Sequence, residues 1–115
     1  MNTILHISSR ADWQDVQPAG SYEADSLSTQ GFIHCSRPDQ VLGVANDRFR
    51  GRDDLVLLCI DPDLVAAEIR HENLDGGDNL FPHIYGPLNL DAVTDILDFT
   101  RGDDGMFVLP QQLHG

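Results

Sequence analysis

The sequence contains no lysine, and all seven of its basic residues are arginines. Lysine Schiff-base chemistry and a phosphate loop built on lysine are therefore excluded. Cysteine is scarce as well. Cys35 and Cys59 lie in the apolar segments FIHCS and LVLLCI without any CxxC spacing. A cysteine-built zinc site is not expected, and two buried free thiols are. No apolar run approaches the ~20 residues of a membrane-spanning helix. The opening MNTILHISS lacks the basic start and apolar centre of a secretory leader, which points to the cytoplasm. Internal repeats, linkers and low-complexity tracts are also missing, so residues 1–115 read as one domain with one core.

Acid is what the chain has in excess. Nineteen aspartates and glutamates against seven arginines leave a net charge of −12. That repulsion argues against a nucleic-acid backbone or an anionic membrane as main partner and leaves a small-molecule ligand as the expected one. The cluster Arg48, Arg50 and Arg52 is able to hold one phosphate or carboxylate, although a solvated helix end is the plainer reading.

Hydrophobic patterning predicts a mixed α and β chain. Ile4 to Ser8 reads as a strand, and Ser9 with Asp12 three residues on marks the start of a short helix carrying Trp13 and Val16. Pro18 to Gly20 ends it. Ser21 to Gln30 reads as loop, with one helical turn around Asp25 to Thr29. A second strand is expected at Phe32 to Cys35, with Ser36 capping the next helix. In that helix Val41, Leu42, Ala45 and Phe49 form an apolar stripe. LVLLCI, unbroken in its hydrophobicity, suggests a central strand covered on both faces. Asp61-Pro62-Asp63 begins a helical turn, EIRHE (Glu68 to Glu72) a half-exposed strand, and DGGDN (Asp75 to Asn79) a turn. Strands at FPHIYG, at Val93 to Phe99 and at Met106 to Leu109 follow. The fold class is therefore α+β, a single domain with a curved or split antiparallel-rich sheet and two or three short helices.

Three strands share a cadence. In LHIS, FIHCS and PHIY a histidine sits two residues from a serine or tyrosine, which puts both on one strand face. His6 thus lies beside Ser8, His34 beside Ser36 and His83 beside Tyr85, while Leu5, Ile7, Ile33, Cys35 and Ile84 face the core. A solvated strand face accounts for the polarity of any one pair. It does not account for three histidines in equivalent places, and adjacent strands would converge them into a cleft suited to acid/base work or to binding sugar hydroxyls. Two chemistries fit such a cleft. One is a polar organic ligand with Tyr85 stacked on a ring. The other is a metal held by His6, His34 and His83 as in a metal-dependent hydrolase. Among the acids, Glu68, Arg70 and Glu72 share one face of EIRHE, either as a charged edge or as a source of one carboxylate for the cleft.

LHIS, the Trp13 helix, SLSTQGFIHCS, PDQVLGVANDRF, LVLLCID and FPHIYGPLNLDAV together resemble the uncharacterised bacterial family DUF952, from Ile4 to about Pro110. A looser similarity is to the ADP-ribosyltransferase superfamily, including RNA 2′-phosphotransferases, whose first strand carries a histidine in a pattern like Leu5-His6-Ile7-Ser8. That likeness implies NAD or another nucleotide or sugar-phosphate as ligand, with His6, His34 and a glutamate as catalytic residues; Glu68 and Glu72 are the glutamates available, and Glu72 is taken for the role. Ser8, Ser36, His83 and Tyr85 would then bind the ligand, Ser36 with the help of helix amides. A non-catalytic ligand-binding or protein-interaction module is the alternative, and a metal-dependent hydrolase the second.

Overall fold

LVLLCI is buried at all six of its positions, and the rest of the chain is arranged around it. The computed structural model describes residues 3–16, 20–73, 77, 79–102 and 104–110. In chain order the elements are β1 (Ile4–Ser9), α1 (Arg10–Asp15), β2 (Ser21–Tyr22), α2 (Asp25–Gln30), β3 (Ile33–His34) and α3 (Val41–Arg48). After them come β4 (Leu55–Ile60), a 3₁₀ turn (Pro62–Leu64), β5 (Glu68–Glu72), β6 (Phe81–Tyr85), β7 (Leu88–Asn89), a second 3₁₀ turn (Leu90–Ala92) and β8 (Val93–Asp98). The described residues form a small α+β domain with antiparallel sheets and three helices. Pro18, most of the 75–79 turn and His114 fall outside the described residues.

Two three-stranded antiparallel sheets carry the fold, ordered β1-β4-β8 and β3-β6-β5, with β2 and β7 pairing as a small ribbon. Period-two alternation sorts the side chains of β1 and β4 into two cores. On one face Ile4, Val56, Leu58 and Ile60 pack with Ile33 and Ile84 of the second sheet and with Trp13 of α1. On the other, Leu5, Leu55, Leu57 and Cys59 pack with Val41 and Ala45 of α3 and with Phe99 and Phe107. Each fully buried leucine of β4 stabilises the fold by roughly 1.5–3 kcal/mol relative to an exposed one. Cys35 and Cys59 are free and buried, one in each core, so the sheet itself separates them.

One junction matters for function. The outer edge of β1 meets the second sheet at a single bridge, where the Leu5 N–H donates to the Ser36 carbonyl at 2.8 Å and the Ser36 N–H returns to the Leu5 carbonyl at 2.7 Å. Beyond it β1 and β3 part, so the structure is a split sheet with a gap alongside Ile7 to Ser9.

The start of α1 is as expected, with the Ser9 hydroxyl accepting from the Asp12 N–H. Other expectations need correction. Ser36 caps no helix, because α3 begins only at Val41, behind Gln40. Its backbone is instead drawn into the bridge to Leu5. The strand expected from Phe32 to Cys35 is confined to Ile33–His34, since Phe32 follows directly on Gly31. That glycine has φ +88°, a left-handed conformation that ends α2, and its N–H closes on the Leu27 carbonyl at 3.1 Å. Ser21 and Tyr22, read as loop, pair with Asn89 and Leu88. Met106 to Leu109 makes one bridge, Arg101 to Phe107, rather than a strand; its alternation reflects Phe107 reaching into the core.

Candidate functional site

The gap beside β1 widens into a cleft of about 500 Å³, within the usual range for small-molecule sites. His6, His34 and His83 all line it, together with Ser8, Ser36 and Glu72. Strand register explains the convergence. His34 lies opposite His83 across β3 and β6, and His83 lies opposite Arg70 across β6 and β5. His6 reaches the same cleft from the first sheet, across the split.

The side chains are not the solvated strand face that simple alternation suggests. His6, Ser8, Ser36 and His83 are buried, and of the paired residues His34 alone is exposed. Because β1 is covered on both sides, its polar residues are held inside.

His6 closes the split. The diverging β1 backbone makes no bridge to His34, and the His6 ring takes its place: Nδ1–H donates to the His34 carbonyl at 2.6 Å. A carbonyl only accepts, so the proton is on Nδ1, and Nε2 accepts from the Tyr22 hydroxyl at 2.8 Å. Burial lowers the pKa of His6 to about 4, against the partial opposition of that carbonyl bond. At neutral pH the ring is uncharged, and both its nitrogens are used within the protein.

His34 Nε2–H donates to Gln30 Oε1 at 2.7 Å, which ties the cleft rim to the end of α2. His83 is held differently. Its Nδ1–H donates to Glu72 Oε1 at 3.0 Å, and the Tyr85 hydroxyl donates to the same oxygen. These two bonds, Tyr85's first, keep the Glu72 carboxyl below the ordinary glutamate range; in return the Tyr85 phenol is raised. Phe32 stacks on the His83 ring with centroids 4.3 Å apart and planes 23° apart, fixing its plane. Nε2 of His83 has no partner among the described residues. Since no buried side-chain nitrogen or oxygen among them lacks one, Nε2 is open to the cleft. The same reasoning leaves Ser36 Oγ open.

Tyr85, expected to stack on a ligand, is not part of the cleft wall. Its ring has the Arg70 guanidinium 4.4 Å over it, and its contribution is the bond to Glu72. Arg48 and Arg52, by contrast, do line the cleft. Arg52 is paired with Asp54 at 2.8 Å, whereas Arg48 has no hydrogen-bond or ion-pair partner among the described residues. Their spacing of four was the available signal: it placed them on either side of the turn at Gly51 (φ +88°), but not against which wall. Among the described residues no group of three histidine, cysteine, aspartate or glutamate side chains is arranged to hold a metal ion. Nor is any helix among them long and apolar enough to cross a membrane.

Comparison with known proteins agrees with the fold. The crystal structure of protein CC0527 from Caulobacter crescentus is 33% identical, covers 98% of this chain and 99% of its own, and superposes with a TM-score of 0.87. A double mutant of CC0527 gives 0.86 at 33% identity over the same shares. Its solution NMR structure gives 0.81 at 35% identity over 96% and 93% of the two chains. No functionally curated protein matches. Residues 7–96 match the family described as protein of unknown function (DUF952), and the chain belongs to that family.

Proposed function

We propose that the cleft binds an anionic, hydroxyl-bearing small molecule, a nucleotide or sugar-phosphate, with NAD as the first candidate. The observation that carries this reading is the meeting of three histidines, three serines and Arg48, which is unpaired among the described residues, around one cleft in a chain of net charge −12. In so acidic a protein an arginine without a carboxylate partner is a natural anchor for phosphate, and charge-assisted bonds are about twice as strong as neutral ones. Ser36 Oγ and His34 then supply hydroxyl contacts. ADP-ribosyl- or phosphotransferase-like chemistry is the class in which such a ligand would be transformed. A non-catalytic binding module is the second reading, favoured by His6, whose ring holds the protein together instead of facing a ligand.

Calorimetry with NAD, ADP-ribose, nucleoside phosphates and sugar phosphates tests the proposal. At least one should bind, and Arg48→Ala should weaken it about tenfold. Silence across the panel, or equal binding by the variant, would defeat the proposal.

A further inference from the structure

Within the cleft, the Glu72–His83 pair has a role that binding alone does not require. The Glu72 carboxylate accepts from Nδ1–H at 3.0 Å, the tautomer this bond selects leaves Nε2 as the acceptor, and that nitrogen faces the cleft without a partner among the described residues. Phe32 against the ring and the Tyr85 hydroxyl on Glu72 hold both members of the pair in place. This is the arrangement by which a carboxylate orients an imidazole as a proton acceptor, here with Glu72 half-buried and His83 buried. The charged and titratable groups around the ring are Glu72 and Arg70 from β5, Tyr85 from β6 and His34 from β3, the last with ring centroids 5.4 Å away.

We propose that His83 is the general base of the cleft, with Glu72 as its positioning residue, and that it activates water for attack on phosphorus in the bound phosphate compound. The inference rests on the nucleotide or sugar-phosphate reading above. In the step, a water O–H bond breaks and its proton goes to Nε2 while the water oxygen bonds to phosphorus. The bond from phosphorus to the leaving oxygen breaks, and the imidazolium returns its proton to that oxygen. A phosphate monoester and water become alcohol and inorganic phosphate, and a pyrophosphate such as that of NAD and water become two phosphate monoesters, with no oxidant or further reactant. Arg48 is the cation in the same cleft available for the phosphate charge.

The experiment joins calorimetry and phosphate release, read as inorganic phosphate from monoesters and as phosphate monoesters from NAD and ADP-ribose, over the same panel with nitrogen-15 spectra of the His83 ring. The parent should release phosphate from a compound that it binds, and its His83 should carry the proton on Nδ1. His83→Gln, assayed with that compound at saturation, should lose phosphate release by roughly 10²–10⁴-fold. Glu72→Gln, which keeps the shape, should lose less and shift the ring toward a mixture of tautomers, a readout that a merely structural role would leave alone. Binding by the parent without phosphate release overturns the base and leaves the ligand reading standing. An Nε2-protonated ring in the parent, or parental rates in His83→Gln, overturns it too. Failure of the parent to bind any member sinks both readings.

Discussion

The Nδ1 atom of His6 lies 2.6 Å from the carbonyl oxygen of His34, a side chain standing in for the ladder bond that two diverging strands no longer make. On the opposite side of the ring the Tyr22 hydroxyl completes the set. A residue that reads as catalytic by type is thus built in as a clasp.

Removing the clasp should be costly. His6→Ala leaves a cavity and strips the Tyr22 hydroxyl and the His34 carbonyl of a partner. Together these should lower stability by roughly 2–4 kcal/mol in urea denaturation. Tyr22→Phe, which takes away the hydroxyl that bonds His6 Nε2 and stands 3.4 Å from Ser8 Oγ, should cost about 1–2 kcal/mol. A His6→Ala protein as stable as the parent would show that the ring bears no structural role.

Acid should loosen the fold through the same residue. The folded state holds His6 near pKa 4, below its ordinary value of 6.5, so between these values the unfolded chain binds the extra proton. Stability is therefore complete above about pH 6.5 and falls as pH drops toward 4, by on the order of 3 kcal/mol for this group. Denaturation midpoints across that range check the sign, and His6→Gln should flatten the curve.

Arg48 should matter to a ligand and not to the fold. Exposed and unpaired among the described residues, it has little stability to lose, so Arg48→Ala should stay within about 0.5 kcal/mol of the parent. Arg52→Ala should also be mild, because its bond to Asp54 is an exposed ion pair. A large loss of stability in either would reassign that arginine from ligand to scaffold.

The two thiols should be inert in the native protein. Burial raises both, Cys59 to about 11 and Cys35 further, and the thiolate is the reactive form. A thiol reagent should label neither cysteine quickly until denaturant is added, and air oxidation should not join them. Rapid labelling of native Cys35 would mean that its core opens readily.

Much of the fold was legible because its signals are local. LVLLCI declared a doubly covered strand by having no polar residue, and Ser9 with Asp12 declared a helix start by capping chemistry. The alternation at FIHCS correctly sent Ile33 and Cys35 to the core. What alternation does not report is whether the opposite face is wet. His6 and Ser8 share a face as expected, yet that face is covered by elements far away in sequence, and covering turns a would-be proton shuttle into a neutral strut. Ser36 misled for a related reason. Serine before a helical stripe is a good cap signal, but a long-range bridge to Leu5 held its backbone, and the helix began later. The meeting of His34, His83 and Arg70 depends on register across three strands, which no single stretch encodes.

The bridge between Leu5 and Ser36 is main chain to main chain, and it is therefore blind to the side chain that position 36 carries. Architecture and chemistry are separable at this one residue. Ser36→Ala should leave the sheets joined and remove only a hydroxyl from the cleft, whereas Ser36→Pro, lacking the N–H, should unfasten them. Few positions offer so clean a division between the hinge of a jaw and its teeth.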